Sequence, residues 1–277
     1  MDTIKTISAM RSARSRLKEP VGFIPTMGFL HEGHLSLVHR ARAENASVAV
    51  SIFVNPTQFG PKEDLERYPR DLPRDLALLA DAGVDIVFVP EAAELYPTGF
   101  ATWVAVEKIT ARLEGATRPG HFRGVTTVCA KLFNIVRPTS VYFGQKDAQQ
   151  ALTIKRMVTD LNLDLKVITV PTIRAADGLA LSSRNTYLSP EERQAATVLS
   201  RALRLAEAKW RAGERRAEII RHKMVELIKA EPLARIDYIS IADSETLTEL
   251  DTIEATPLVS LAVYIGQTRL IDNLVLA

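Results

Sequence analysis

The segment Pro25-Thr26-Met27-Gly28-Phe29-Leu30-His31-Glu32-Gly33-His34 follows an apolar run that begins at Val21. Imidazoles three residues apart share a face on a helical turn, so His31 and His34 could both donate to one phosphate. Gly28 and Gly33 permit a tight turn, and amides exposed at a helix starting near Gly33 favour an anion. The segment contains neither GxGxxG nor GxxxxGK[ST], which excludes the dinucleotide fingerprint and the P-loop. A purely structural histidine pair is the plain alternative. A zinc site fits less well, because the spacing is not the four residues of HExxH.

Three further segments carry donors of the same kind. Gly144-Gln145-Lys146-Asp147 leaves an apolar run at Val141 to Phe143, and Lys146 offers a compact positive charge to a phosphate. Asp147 could cap the next helix or contact a ribose hydroxyl. In Asp177-Gly178-Leu179-Ala180-Leu181-Ser182-Ser183-Arg184-Asn185, two hydroxyls and a guanidinium among small residues suit a mobile clamp over a polyphosphate. An ordinary Asp-Gly turn with a solvated arginine would look the same. In Phe53-Val54-Asn55-Pro56-Thr57-Gln58-Phe59, the Gln58 amide can read both donors and acceptors and Phe59 could wall a small apolar ligand. The plain alternative is a loop fixed by Asn-Pro turn chemistry.

Positioning these groups requires a scaffold, and the chain is long enough for one. Its 277 residues allow roughly two domains at about 150 residues each. Hydrophobic residues at 47% and charged residues at 25% describe an ordinary globular chain. From Val21 to Ile173 short apolar runs alternate with amphipathic stretches, the pattern of an α/β, Rossmann-like parallel sheet with helical crossovers. The expected strands are Val21 to Pro25, Val48 to Val54, Ile86 to Val89, Val141 to Phe143 and Leu165 to Val170. A helix with Val125, Val128, Cys129, Leu132, Phe133 and Val136 on one face should cover the sheet, which makes Cys129 a core residue. Ile4, Ile7, Met10 and Leu17 suggest a first helix.

After Asn185 the pattern changes. Ser189-Pro190-Glu191-Glu192 reads as an N-cap, a first-turn proline and a capping-box glutamate, and Ala195, Val198, Leu199, Ala202, Leu203 and Ala206 supply a buried stripe. Gly213 separates this helix from a second one through Lys229. Strands are expected near Ile236 to Ile241, Leu258 to Tyr264 and Arg269 to Leu274. The expected organisation is therefore a larger α/β domain over 1–185 and a smaller α+β domain over 186–277.

Charge and cysteine content narrow the partners. Lys plus Arg is 35 and Asp plus Glu is 33, a net charge of +2, so no bulk positive excess points to nucleic acid or an anionic membrane. Between Arg201 and Lys223 eight basic residues face three acidic ones, but apolar positions at helical spacing interrupt them, as on a solvated helix face. One cysteine cannot form an internal disulfide, no apolar run approaches about 18 residues, and Met1 to Pro20 lacks a signal-peptide core. The cytoplasm is the expected compartment.

Taken together, PTMGFLHEGH, FVNPTQF, YPRDL, RPGHFRGV, YFGQKDAQQ and DGLALSSRN resemble, in order, the motifs of the pantoate–β-alanine ligases, a family of the nucleotidyltransferase superfamily with HIGH-type motifs. Glu32 stands where the family often has Asp, and Leu181 where it often has Met. The resemblance implies an ATP-dependent ligation with Mg2+ in which pantoate is adenylated, pyrophosphate leaves, and the β-alanine amine displaces AMP. It implies an ATP site at Met27, Gly28, Phe29, Leu30, His31, Glu32, Gly33, His34, Gly144, Gln145, Lys146, Asp147, Ile173, Leu181, Ser182, Ser183 and Arg184. His34 would donate a proton, with His31, Lys146 and Arg184 as the other catalytic donors. Gln58 and Gln150, with Pro25 and Thr26, would hold pantoate, and Gln58 would lie near β-alanine. The protein ligands of Mg2+ stay unassigned, and a homodimer with the smaller domain as a lid is implied. Another adenylyl-transferring enzyme of the superfamily is the main alternative, against which FVNPTQF and the Gln149-Gln150 pair discriminate.

Overall fold

The structure, a computed structural model, describes residues 1–61, 63–254 and 256–276. Two compact units divide the chain: Met1–Gln145 with Gln149–Pro171, and Lys146–Ala148 with Thr172–Ala277.

In the first unit the strands are β1 (Asp2–Ile4), β2 (Val21–Thr26), β3 (Ser47–Ile52), β4 (Ile86–Phe88), β5 (Ser140–Gly144) and β6 (Lys166–Val170). They form a parallel sheet in the order β1-β4-β3-β2-β5-β6. The helices are α1 (Ile7–Arg14), α2 (Glu32–Glu44), α3 (Leu72–Asp81), α4 (Ala92–Leu95), α5 (Glu114–Thr117), α6 (His121–Val136) and α7 (Ala148–Asp160). Side chains alternate across a strand, and here both faces are apolar. Phe23, Ala49, Ile86, Phe88, Val141 and Phe143 share one cluster with Met10 of α1, the α6 stripe and Ile154 and Met157 of α7. Ile24, Val48, Val50, Val87 and Tyr142 share the other with Leu37, Val38 and Ala41 of α2 and Leu79 of α3. The expected Rossmann-like layering is what the chain forms. Cys129 is buried in the first cluster and its thiol is pushed up to about 12 by burial.

One early element differs from expectation. Ile4 lies not in a helix but in β1, opposite Phe88, and Thr6 then caps α1 by accepting a hydrogen bond from Ala9 N at 3.3 Å. A three-residue edge strand owes its existence to the β4 backbone beside it, which local spacing does not reveal.

The second unit contains α8 (Pro190–Ala195), α9 (Val198–Arg211) and α10 (Ala217–Lys229), followed by an antiparallel sheet of β7 (Ala234–Asp243), β8 (Pro257–Ile265) and β9 (Thr268–Val275) in the order β7-β8-β9. The capping box forms as read: Glu192 N donates to Ser189 Oγ at 3.2 Å and Ser189 N to Glu192 Oε2 at 3.0 Å. The helix it starts ends early, because Thr197 N turns to Gln194 O and α9 begins afresh at Val198. Residues 172–185, counted with the first domain by the sequence boundary at 185, pack in this unit, where Leu179 shares an apolar cluster with Ala195 and Leu199. Among the described residues no helix is long and apolar enough to cross a membrane.

Candidate active site

From β2 the sheet order runs outward through β3 and β4 to β1, and from β5 it runs the other way to β6. Strand order therefore reverses between β2 and β5, which pair directly through Gly22 with Ser140 and Phe23 with Val141. Ligands of open parallel sheets bind outside the carboxyl ends of the strands at such a reversal. The histidine segment leaves β2 at Thr26 and Gly144-Gln145 leaves β5, so two separate motifs of the sequence start at this one place.

The histidine turn is held by Thr26 and by Asp75, the second of which sequence reasoning did not single out. Thr26 Oγ1 donates to Ser51 O at 2.7 Å and accepts from Gly28 N at 3.2 Å. Gly28 has φ +82°, and a Cβ there would meet Ile52 Cγ2 at 2.9 Å and Asp75 Oδ2 at 3.0 Å, so a side chain is excluded. Phe29 continues the left-handed turn at φ 53°. The Phe29 and Leu30 amides then converge on the Asp75 carboxylate of α3, at 2.7 and 2.8 Å. Arg74 Nη1 donates to Leu30 O at 2.9 Å and its guanidinium lies 5.6 Å from the Phe29 ring. Asp75 is 1% exposed, and burial pushes its carboxyl above the usual range despite the two amide bonds.

His31 is the N-cap of α2. Its Nδ1 accepts from Gly33 N at 3.1 Å, and His34 Nδ1 accepts from His31 N at 3.4 Å. A neutral imidazole that accepts at Nδ1 carries its proton at Nε2, so the cap assigns the Nε2–H tautomer to both rings. Their centroids are 4.1 Å apart, which brings the two rings together as the spacing suggests. The amides are another matter. The expectation that helix-start amides would bind an anion is corrected at Gly33, whose amide is filled by His31; ahead of the helix, the Phe29 and Leu30 amides are filled by Asp75. Side chains, not these amides, present the donors. Asp75→Ala would leave the buried Leu30 N–H and the half-buried Phe29 N–H without this acceptor, at about 1–3 kcal/mol each. A urea titration is expected to show about 2–4 kcal/mol of lost stability, and a loss under about 0.5 kcal/mol would contradict this role.

Gln58 closes a short 3-10 turn, Pro56–Gln58, whose N-cap is Asn55. Asn55, also absent from the sequence-derived candidates, donates through Nδ2 to Gln58 Oε1 at 3.1 Å and to Gly124 O at 3.2 Å. Gln58 Nε2 lies 3.0 Å from Met27 Sδ, which brings the amide beside the histidine segment. Gly124 of α6 makes this packing possible, since a Cβ there would sit 2.4 Å from Thr57 O. His121 Nδ1 donates to Gln58 O at 2.8 Å, which leaves Nε2 to accept from Arg118 Nη1 at 3.1 Å. Arg118 in turn pairs with Glu63 at 2.6 Å. Phe59 stacks edge-on with Tyr68, their centroids 5.9 Å apart. Of the paired glutamines, buried Gln149 donates to Ile109 O and Arg112 O and accepts from Glu114 N, so it braces a loop, whereas Gln150 is half-buried on α7.

Burial, followed by the neighbouring Arg118 charge, lowers the His121 pKa from 6.5 to about 4. The unfolded chain therefore binds a proton below pH 6.5 that the folded chain refuses until about pH 4. Stability contributed by neutral His121 is present above pH 6.5 and is lost as pH falls toward 4, by about 3 kcal/mol at 1.36 kcal/mol per pKa unit. Urea midpoints followed from pH 7 to pH 4 should fall more steeply for the wild type than for His121→Asn. Parallel profiles would show that His121 is not the group responsible.

The remaining candidates lie in the second unit. Lys146 Nζ sits 3.3 Å from Asp147 Oδ1, and its carbonyl accepts from Asn273 Nδ2 at 2.8 Å. Ile173 is exposed and Leu181 N donates to its carbonyl at 3.0 Å. Arg174 bridges to Ala180, and Ala175 O accepts from Gly178 N at 2.8 Å, so residues 173–181 form a hairpin turned at Asp177-Gly178. Ser182 then caps a 3-10 turn, Ser183–Tyr187, by accepting from Arg184 N at 3.3 Å, while Asn185 Nδ2 donates to Ala180 O at 3.0 Å. The Asp-Gly turn therefore closes a hairpin that leads into the Ser182–Arg184 segment expected to clamp a polyphosphate.

Among the described residues no group of three or more His, Cys, Asp or Glu could hold a metal ion. The candidate donors are imidazoles in the first unit and an ammonium, hydroxyls and a guanidinium in the second, groups suited to phosphate oxygens, whereas Mg2+ takes oxygen ligands and commonly keeps waters and substrate phosphates.

Comparison with known proteins identifies the family. The family model described as Pantoate-beta-alanine ligase matches residues 2–275. A pantothenate synthetase from Roseiflexus castenholzii is 61% identical over 100% of this chain and 99% of its own length. The crystal structure of pantothenate synthetase from Thermus thermophilus superposes with a TM-score of 0.95 at 52% identity, covering 99% of each chain. That of the pantoate-beta-alanine ligase from Francisella tularensis, complexed with beta-gamma ATP and beta-alanine, gives 0.83 at 37% identity, covering 99% of this chain and 97% of that one. With a family model spanning nearly every residue and relatives alike along their full length, the chain belongs to the pantoate–β-alanine ligase family.

Proposed function

We propose that this chain joins pantoate to β-alanine at the expense of ATP through a pantoyl-adenylate. The observation that carries the proposal is the convergence of the histidine turn and the Gly144-Gln145 segment on the strand-order reversal between β2 and β5. A pantoate carboxylate oxygen attacks the α-phosphorus, the bridging bond to the β-phosphate breaks, and pyrophosphate leaves. The β-alanine amine then attacks the acyl carbon, loses a proton, and AMP departs with the oxygen that pantoate brought. No enzyme nucleophile is needed, because the carboxylate is already ionised at neutral pH.

In this reading His31, His34, Lys146, Ser182, Ser183 and Arg184 donate to the ATP phosphates, which carry the charge that grows in the transition state. Met27 to His34, Gly144 to Asp147, Ile173 and Leu181 complete the nucleotide contacts, and Mg2+ arrives on the phosphates. Gln58 and Gln150, with Pro25 and Thr26, hold pantoate. The Asn55 bond to Gln58 Oε1 fixes which way its amide faces, as a pantoate-reading amide requires, while His121 holds the Gln58 backbone carbonyl. The second unit serves as a lid, the working assembly is a homodimer and the compartment is the cytoplasm. Pantoate labelled with 18O in its carboxylate tests the route: one labelled oxygen per turnover should appear in AMP. Label found only in pantothenate would rule out the adenylate.

A further inference from the structure

The pair Asp272-Asn273 on β9 belongs to none of the motifs that point to ATP, yet Asn273 touches one of them and Asp272 holds Arg174, whose hairpin leads into another. Asn273 Nδ2 donates to the Lys146 carbonyl at 2.8 Å. Asp272 takes Arg174 in a two-pronged ion pair, Oδ2 to Nη1 at 2.5 Å and Oδ1 to Nη2 at 2.9 Å, and Oδ1 also accepts from Asn273 N at 2.8 Å. Arg174 passes the hold onward: Nη1 donates to Gly178 O at 3.1 Å, and its backbone bridges to Ala180, just before Leu181, Ser182, Ser183 and Arg184. Asp272 is 2% exposed and Asn273 is buried beside it. Burying a carboxylate is costly even when it is well paired, and an apolar pair would serve the β9 core at least as well.

We propose that Asp272-Asn273 is a positioning element that fixes the spacing between Lys146 and the Ser182–Arg184 donors, Asn273 acting through the Lys146 carbonyl and Asp272 through Arg174 and the hairpin. Donors placed before the reaction need no reorganisation as charge develops, and a displacement of about 1 Å can cost two powers of ten. The two residues touch no substrate in this account. Their effect is transmitted.

The proposal rests on the phosphate role assigned to Lys146, and a double-mutant cycle tests both separately. Pyrophosphate release at saturating pantoate gives kcat/KM for ATP in the wild type, Asn273→Ala, Lys146→Ala and the double variant. Asn273→Ala is expected to lower it about 10- to 100-fold while leaving KM for pantoate within about twofold. In the Lys146→Ala background the same substitution should cost less than about threefold, because its target is gone. A residue that only stabilised the fold would exact the same penalty in both backgrounds, and that result overturns the proposal. So does a wild-type value for Asn273→Ala. A wild-type value for Lys146→Ala would instead remove the phosphate role of Lys146, and this proposal with it. Should Asn273→Ala not fold, Asn273→Asp, equal in shape but without the donor, enters the same cycle with the same expectations.

Discussion

Replacing His34 with alanine is expected to slow pyrophosphate release by about two to four powers of ten in a chain that still folds. The expectation follows from the cap geometry. His34 Nδ1 is committed to the His31 amide at 3.4 Å, which leaves the Nε2 proton as the group that can follow charge onto the phosphates. His31 is turned the same way by Gly33 N at 3.1 Å, so the two donors arise from one helix start. Alanine deletes the His34 donor and also removes the acceptor of the His31 amide, loosening the second imidazole. Loss of the cap itself costs about 1 kcal/mol of stability, too little to unfold a chain of this size. Rapid-quench measurement of pyrophosphate with pantoate and MgATP reads the step directly. A folded variant with near wild-type release would remove His34 from the chemistry.

Lys146→Ala is expected to cost about 2–4 kcal/mol of transition-state stabilisation, or roughly 30- to 1000-fold in kcat/KM for ATP. The Lys146 side chain is 20% exposed and its ion pair with Asp147 spans 3.3 Å. A partly exposed pair of this kind contributes only about 0–1 kcal/mol to folding, so the loss should appear in turnover and not in the melting temperature. Arginine is a poor replacement, because a planar fork cannot occupy the place of a compact ammonium, and Lys146→Arg should recover little. Unchanged kcat/KM for ATP in Lys146→Ala, or most of the activity returning with arginine, would contradict a point-charge role.

Much of the scaffold was legible because its strands are buried on both faces and therefore read as continuous apolar runs, as at Val48, Ala49 and Val50. The Ser189 capping box was legible for a local reason, since its partners are three residues apart. What escaped depended on distant chain. Asp75 lies on a helix whose charges suggest an exposed face, and nothing local announces that two amides over forty residues earlier will close on it. His121 and Gly124 sit in a motif that was noticed, but their contact with Gln58 and Thr57 exists only once α6 packs on the sheet. The hairpin at 173–181 is different: Asp177-Gly178 is a strong hairpin signal in its own right, and a plain turn was too weak a reading of it. Gln149 also left a trace. Thr153 and Met157, at helical spacing from it, mark the buried face of α7.

Pyrophosphate release from MgATP, with pantoate present or absent and β-alanine added last, bears most directly on the proposed order of chemistry. Release should require pantoate, reach about one equivalent per site without β-alanine, and continue with equal AMP and pantothenate once β-alanine arrives. Release independent of pantoate, or AMP formed only when both acids are present with no earlier pyrophosphate, would contradict adenylation of pantoate as the first step.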